Sequence, residues 1–159
     1  MKYVVVGGAG FIGSNIVDKL IEQDHEVVVI DNLSTGKKEN ISYVGHLKRN
    51  VELCEVDISD ASQSECLTEC MKGADTVFLL AAKARVQPSI ENPVEYEMNN
   101  TIGTLNILKC ASDAGVRRVV YSASSSAYGN TDKLPSVESD PVNPLSPYGA
   151  QKYYGEVMC

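Results

Sequence analysis

Apolar residues gather in short runs along the chain: Tyr3–Val6, Glu26–Ile30, Val51–Val56, Thr76–Leu80 and Arg118–Ser122. The runs are rich in valine and continuous rather than alternating, as in strands buried on both faces of a parallel sheet. Between them the spacing turns helical. In Phe11–Glu22 the apolar positions Ile12, Ile16 and Leu20 recur every four residues. Ala61–Lys72 follows Asp60, a candidate N-cap, and stops at Gly73. Pro93–Ala114 carries Val94, Met98, Ile102, Leu105 and Leu108 and ends at Gly115. Alternating strands and helices on short linkers predict an α/β chain, a Rossmann-type doubly wound parallel sheet with right-handed crossovers.

Two stretches break this rhythm. Asn32–Arg49 reads as a polar loop with one short helix. Ala123–Pro147 runs for 25 residues, rich in Ser, Pro, Asn and Asp, without periodicity. A loop that long in a compact domain is usually functional.

With 159 residues and 43% hydrophobic positions, the chain has material for one buried core. Its net charge of −7 disfavours binding to nucleic acid or an anionic membrane. No apolar run approaches the length of a membrane span, and Gly7 interrupts the first run too early for a secretory signal. Cys54, Cys66, Cys70, Cys110 and Cys159 form no Cys-x-x-Cys pair. Cys66 and Cys70 share a helical face, but His25 and His46 are distant in sequence. The expected state is therefore free thiols in a cytoplasmic protein, with no metal.

The first strand runs directly into Gly7-Gly8-Ala9-Gly10-Phe11-Ile12-Gly13. Gly7 permits a tight turn out of the strand. Gly10 lets backbone approach a pyrophosphate. Gly13 allows close packing of the following helix. That helix opens with free N–H groups and the positive end of its dipole, a ready anion site. The second strand ends at Asp31, 18 residues beyond Gly13. A carboxylate at this spacing accepts from both ribose hydroxyls of a dinucleotide and repels a 2′-phosphate, which predicts NAD over NADP.

Tyr148 and Lys152 form Tyr-x-x-x-Lys, a pair that chance supplies about half the time in a chain of this composition. Position strengthens it: a helix begins here, after the fifth strand and the long loop. Spacing of four puts both side chains on one face. An ammonium beside a phenol favours the phenolate, so Tyr148 is a candidate base. Ser124, Ser125 and Ser126 follow the carboxyl end of the fifth strand, where open α/β sheets place ligands. A hydroxyl there can bond the substrate oxygen that Tyr148 deprotonates.

The segments "GGAGFIG" (7–13), "DNLSTG" (31–36), "VDISD" (56–60), "LLAAKARV" (79–86), "NNTIGTLNIL" (99–108), "YSASSSAYGN" (121–130) and "SPYGAQK" (146–152) span the chain in order. Together they resemble the extended short-chain dehydrogenase/reductase superfamily, in its NAD-dependent nucleotide-sugar epimerase/dehydratase group, with UDP-glucose 4-epimerase-like enzymes nearest. The resemblance implies that Gly7, Gly10, Phe11, Ile12 and Gly13 surround the pyrophosphate. Asp31 and Asn32 would hold the adenosine ribose, with Ser34, Thr35 and Gly36 nearby. Asp57 and Ile58 would contact adenine. Leu80, Ala81, Ala82, Ala84, Asn99 and Ser122 would follow the cofactor toward nicotinamide.

Ser124, Tyr148 and Lys152 would be the catalytic trio. Tyr148 takes the proton of the sugar 4-hydroxyl as hydride passes to NAD, leaving a transient 4-keto sugar. Lys152 tunes Tyr148 and binds the nicotinamide ribose, and Ser124 polarises the oxygen. The implied substrate is a UDP-sugar. Alternatives are a sugar-nucleotide reductase or dehydratase, or a non-catalytic NAD-binding module.

There are departures. Val6 replaces a frequent threonine, and Leu79 stands where many relatives carry histidine. Lys83 and Arg85 are unusual; they meet a substrate phosphate or are surface charges. Ser124–Ser126 replace the Thr-Asp-Glu of the dehydratase branch, which removes its acid and base. Members of the group are about twice this long. Residues 1–159 are thus expected to be one NAD(P)-binding Rossmann domain, incomplete at its C-terminal end and without the substrate lobe. Apolar surface left uncovered by that lobe favours a homodimer.

Overall fold

A computed structural model describes residues 1–42, 51–131 and 134–159. Five strands form one parallel sheet: β1 (Lys2–Val6), β2 (Glu26–Asp31), β3 (Val51–Glu55), β4 (Thr76–Leu79) and β5 (Arg118–Tyr121), in spatial order β3-β2-β1-β4-β5. The helices are α1 (Phe11–Glu22), α2 (Lys38–Ser42), α3 (Ser64–Met71), α4 (Val86–Glu91), α5 (Pro93–Glu97), α6 (Gly103–Asp113) and α7 (Pro147–Met158). The doubly wound parallel sheet is the one expected from the apolar runs.

Alternate residues of the central strands feed two cores. Val4, Val6, Val28, Ile30, Val77 and Leu79 pack with Leu67 and Met71 of α3 and Ile107 of α6. Val5, Val27 and Val29 pack on the opposite face with Val17, Leu20 and Ile21 of α1. Burying a side chain of this size contributes about 1.5–3 kcal/mol, so continuous valine runs are favoured only where both faces are covered. The edge strands depart from that expectation. β3 is only partly buried, and Val120 of β5 is 43% exposed, because no described element covers its face of the sheet.

The helices also refine the sequence reading. Asp60 caps a short 3₁₀ turn, Ala61–Gln63, that leads into α3; its carboxylate accepts from the Ser62 N–H at 2.9 Å. The long pattern from Pro93 onward is not uniform. A π-turn, Met98–Ile102, joins α5 to α6. α4 was not foreseen, and the long loop after β5 contains a 3₁₀ turn, Ser125–Ala127. α2 is the one short helix expected in the polar loop after Asp31; residues 43–50 of that loop, His46 among them, lie outside the described residues.

Chain order reverses at β1, which pairs with both β2 and β4. The two loops leaving β1 and β4 therefore diverge and open a crevice at the carboxyl ends of the strands.

Candidate functional site

Gly7 leaves β1 at φ +81°, a backbone conformation that side chains rarely adopt. A Cβ there would also lie 2.7 Å from the Ala81 nitrogen. The β1 and β4 loops thus start backbone against backbone, at Gly7 and Ala81, before they part. At Gly13 a Cβ would overlap the Gly7 carbonyl oxygen, so α1 starts hard against the turn. Gly10 is different: a Cβ would meet only the Gly7 oxygen, at 3.3 Å, and otherwise faces open space. Gly10 is the N-cap residue of α1, no side chain caps that helix, and its first turn carries no acid. Its leading amides remain available to an anion.

A cleft of about 300 Å³ opens over this turn. Gly7, Gly10, Phe11, Ile12 and Gly13 line its centre; Asp31, Asn32, Ser34, Thr35 and Ile58 line one end. Leu80, Ala81, Ala82, Asn99 and Ser122 line the other. The residues expected around a dinucleotide are therefore brought together from β1, β2, β4, β5 and the π-turn. Ile30, Val56 and Lys83 also line the cleft; Ile30 and Val56 read only as core in the sequence.

Asp31 is buried at the cleft wall. One carboxylate oxygen accepts the Ala9 N–H at 3.0 Å and the other the Leu33 N–H at 2.9 Å. The acid thus ties the glycine turn to the loop after β2, and each oxygen keeps a lone pair for a ribose hydroxyl. Asn32 donates to Asp57 at 3.0 Å and accepts from the Ser34 hydroxyl at 2.7 Å.

Asp57, Gly36 and Ala84 do not line the cleft. Asp57 supports it from behind. Burial alone would raise its pKa, but bonds from Ser59 and Asn32 and the charge of Lys83 hold it below the usual carboxylate range. Gly36 packs against Ala9, with room for no Cβ. The exposed Ala84 offers its carbonyl to the Tyr96 hydroxyl at 2.8 Å. Lys83 lines the cleft while its Nζ pairs with Glu95 at 2.8 Å, so it is both a cleft residue and half of a surface ion pair. Arg85 is exposed at the start of α4 with φ +91°.

The candidate catalytic residues sit beyond the β4–β5 end. The Ser146 hydroxyl caps α7 by accepting the Gly149 N–H at 3.1 Å, and Pro147 occupies the first turn. The Tyr148 N–H donates to the buried Ser89 hydroxyl of α4 at 3.1 Å. A Cβ on Gly149 would come within 2.6 Å of the Ser126 oxygen, so α7 lies close on the serine turn. Ser124 accepts the Ser126 N–H at 3.2 Å, which leaves its own proton free to donate.

Lys152 is 3% exposed, and its Nζ sits 4.2 Å from the centre of the Tyr121 ring, a cation–π arrangement. Burial brings Lys152 down to about 8, against the pull of Glu156 and Cys159. Burial likewise pushes Tyr121 up to about 12, with the Thr104 hydroxyl opposing it from nearby; among the described residues the buried Tyr121 hydroxyl closes no hydrogen bond of good geometry.

Sequence reasoning missed the joint between the two halves of this site. The Asn99 and Asn100 side chains both accept the Lys83 N–H, at 3.1 and 2.8 Å. Consecutive residues of a regular helix point about 100° apart; the wider π-turn brings both amides to one donor. Asn100 donates in return to the Lys83 carbonyl and to Gln151 of α7, both at 3.0 Å. Gln151 in turn donates to Glu97 at 3.0 Å. The available signal was a polar pair inside an otherwise apolar helical stretch.

Residues 3–159 match the NAD dependent epimerase/dehydratase family. The chain belongs to that family. NAD is the cofactor of its members, and the uncapped α1 terminus, the glycine cradle and Asp31 suit such a dinucleotide. The chain is 40% identical over 158 residues to the UDP-glucose 4-epimerase of Mycolicibacterium smegmatis, covering 99% of this chain and 50% of that protein. It superposes with a TM-score of 0.91 and 34% identity on the UDP-Glc/GlcNAc 4-epimerase of Campylobacter jejuni, covering 98% of this chain and 47% of that one. The dTDP-glucose 4,6-dehydratase of Streptomyces venezuelae, solved with NAD bound, gives 0.90 and 34%, covering 99% and 50%. The chain therefore spans about half the length of the relatives it matches. Among the described residues no helix is long and apolar enough to cross a membrane, and no group of three or more ligand side chains could hold a metal.

Proposed function

We propose that residues 1–159 are the cofactor-binding half of an NAD-dependent UDP-sugar 4-epimerase. The observation that carries the reading is the joint of Asn100 with Lys83 and Gln151, which fastens the helix of Tyr148 and Lys152 to the cleft. NAD supplies a hydride acceptor that can also return the hydride. The amides of Phe11, Ile12 and Gly13 hold the pyrophosphate, and Asp31 the adenosine ribose. Tyr148 removes the proton of the sugar 4-hydroxyl and gives it back. Ser124 donates a hydrogen bond to the same oxygen and keeps its proton. Lys152 stabilises the tyrosine anion and binds the nicotinamide ribose.

Retention of the cofactor between half-reactions makes the sum an epimerisation. Serines at 124–126 supply neither the acid nor the base of a water elimination, which favours epimerase over dehydratase chemistry despite the shared scaffold. The exposed Val94, Tyr153, Tyr154 and Val157 on α5 and α7 support a homodimer.

The test is an assay of the full-length protein with UDP-glucose and UDP-galactose. Interconversion without net NADH, lost in Tyr148→Phe, is expected. Stoichiometric NADH consumption would make it a reductase, and release of water a dehydratase. NAD binding without turnover of any UDP-sugar would leave a non-catalytic module.

A further inference from the structure

Lys152 faces two opposed demands. Its charge is needed beside Tyr148, yet its side chain is buried, and burial of an ammonium disfavours the charged form. Among the described residues it closes no ion pair and no hydrogen bond. What faces it is an aromatic ring. Tyr121, the last residue of β5, puts its ring centre 4.2 Å from the Lys152 Nζ.

The ring reaches this place because α7 carries a notch. Lys152 and Gly155 are three residues apart and share a helical face. A Cβ on Gly155 would lie 2.2 Å from the Tyr121 hydroxyl oxygen and 2.3 Å from the carbon that bears it. Ring and helix are therefore in contact with no room for a methyl group. The Tyr121 hydroxyl closes no hydrogen bond of good geometry among the described residues, so the ring face is what this side chain contributes. Burial pushes Tyr121 up to about 12, which keeps it a neutral phenol rather than an anion.

Other groups leave the ring this task. On α7, the exposed Glu156 and Cys159 attract the ammonium only through space. Glu97 of α5 is taken up by Gln151. The π-turn and the serine turn carry no charged residue, and α4 turns Ser89 toward this end of α7. α6 brings the neutral Thr104. A carboxylate here would occupy the N–H donors and cancel the charge. A π face stabilises the ammonium and leaves both its charge and its donors for other partners.

We propose that Tyr121 is a positioning residue for the reaction: its ring, seated in the Gly155 notch, stands in for a counter-ion and keeps the Lys152 ammonium charged beside Tyr148. This role rests on the epimerase reading, whereas the contact of ring and ammonium does not.

The experiment reads the lysine and turnover separately. In the full-length protein carrying isotope-labelled lysine, the Lys152 signal, assigned by its loss in Lys152→Met, is titrated by NMR. Tyr121→Leu is expected to lower that titration by about one pH unit. Tyr121→Phe keeps the face and should leave it in place. Gly155→Ala pushes the ring off the ammonium without altering the tyrosine and should lower it in the same direction, a second reading should the leucine variant fail to fold. A titration unmoved in Tyr121→Leu and Gly155→Ala, or lowered equally in Tyr121→Phe, would overturn the proposal. In the UDP-sugar assay the alkaline limb of the kcat profile should move down with the lysine in Tyr121→Leu. A limb that stays in place while the lysine moves would overturn the positioning role. Absence of turnover would strike the epimerase reading instead, and the lysine titration would still decide the contact.

Discussion

The Asn100 side-chain amide donates to the Gln151 carbonyl oxygen at 3.0 Å, and both residues are buried. This bond spans 51 positions and joins the π-turn that grips Lys83 to the helix that carries Tyr148 and Lys152. Truncating one partner leaves the other's facing polar atom buried and unpaired, which costs about 1–3 kcal/mol. Asn100→Ala is expected to cost more than Gln151→Ala, because it also frees the Lys83 carbonyl and leaves the Lys83 N–H to Asn99 alone. Chemical denaturation of the two variants and their double mutant should give a coupling energy of about 1 kcal/mol; a coupling of zero would show that the bond does not tie the elements.

Asp31 has two duties, and two variants separate them. Asp31→Asn keeps the size but replaces an acceptor oxygen with a donor. Asp31→Ala removes both backbone bonds to Ala9 and Leu33. Calorimetry is expected to find NAD bound about tenfold or more weakly by each variant, a loss of at least ~1.4 kcal/mol. Thermal unfolding should fall further in Asp31→Ala. NAD affinity unchanged in both would remove Asp31 from the ribose site.

The glycines of the turn are expected to fail in different ways. Gly13→Ala forces a methyl group onto the Gly7 oxygen and should unfold or strongly destabilise the chain. Gly10→Ala meets a single atom at 3.3 Å and should fold nearly as well. Its methyl group instead fills the space over the helix terminus, so NAD affinity should drop with little change in melting temperature. A Gly10→Ala chain that binds NAD normally would place the pyrophosphate elsewhere.

Lys152 should make stability rise with pH over a defined window. Its folded pKa is about 8, below the ordinary 10.5 of the unfolded chain. Between these values the unfolded chain holds more protons, so raising the pH favours the folded state. Below about pH 8 the burial penalty is fully present. Lys152→Met is therefore expected to be the more stable chain at pH 7, by at most about 3.5 kcal/mol at ~1.4 kcal/mol per unit. The difference should shrink toward zero as pH rises to 10.5. Tyr121, pushed up to about 12, stays protonated in the folded chain throughout this window. Equal stability of the two chains at pH 7 would contradict a desolvated ammonium.

Much of this was legible along the chain because the signals are local. Buried parallel strands need continuous apolar runs, and those runs place all five strands. A dinucleotide turn needs glycines at fixed offsets, and Asp31 follows at a spacing set by one helix and one strand. What escaped notice depends on pairs distant in sequence. Ser89 beneath the Tyr148 amide and Asn100 against Gln151 leave no periodic trace. The π-turn escaped for the same reason, since apolar spacing continues straight through it.

By itself the sequence determined the α/β class, the cofactor turn and the helix bearing Tyr148 and Lys152, because each is specified by neighbours within a few residues. Only the tertiary structure decided that Asp57 acts through Asn32, that Lys152 lies buried over Tyr121, and that the edge strands stay half-exposed. Those outcomes depend on which elements pack together in space, and burial, hydrogen-bond partners and proton affinity are set by that packing rather than by the order of residues.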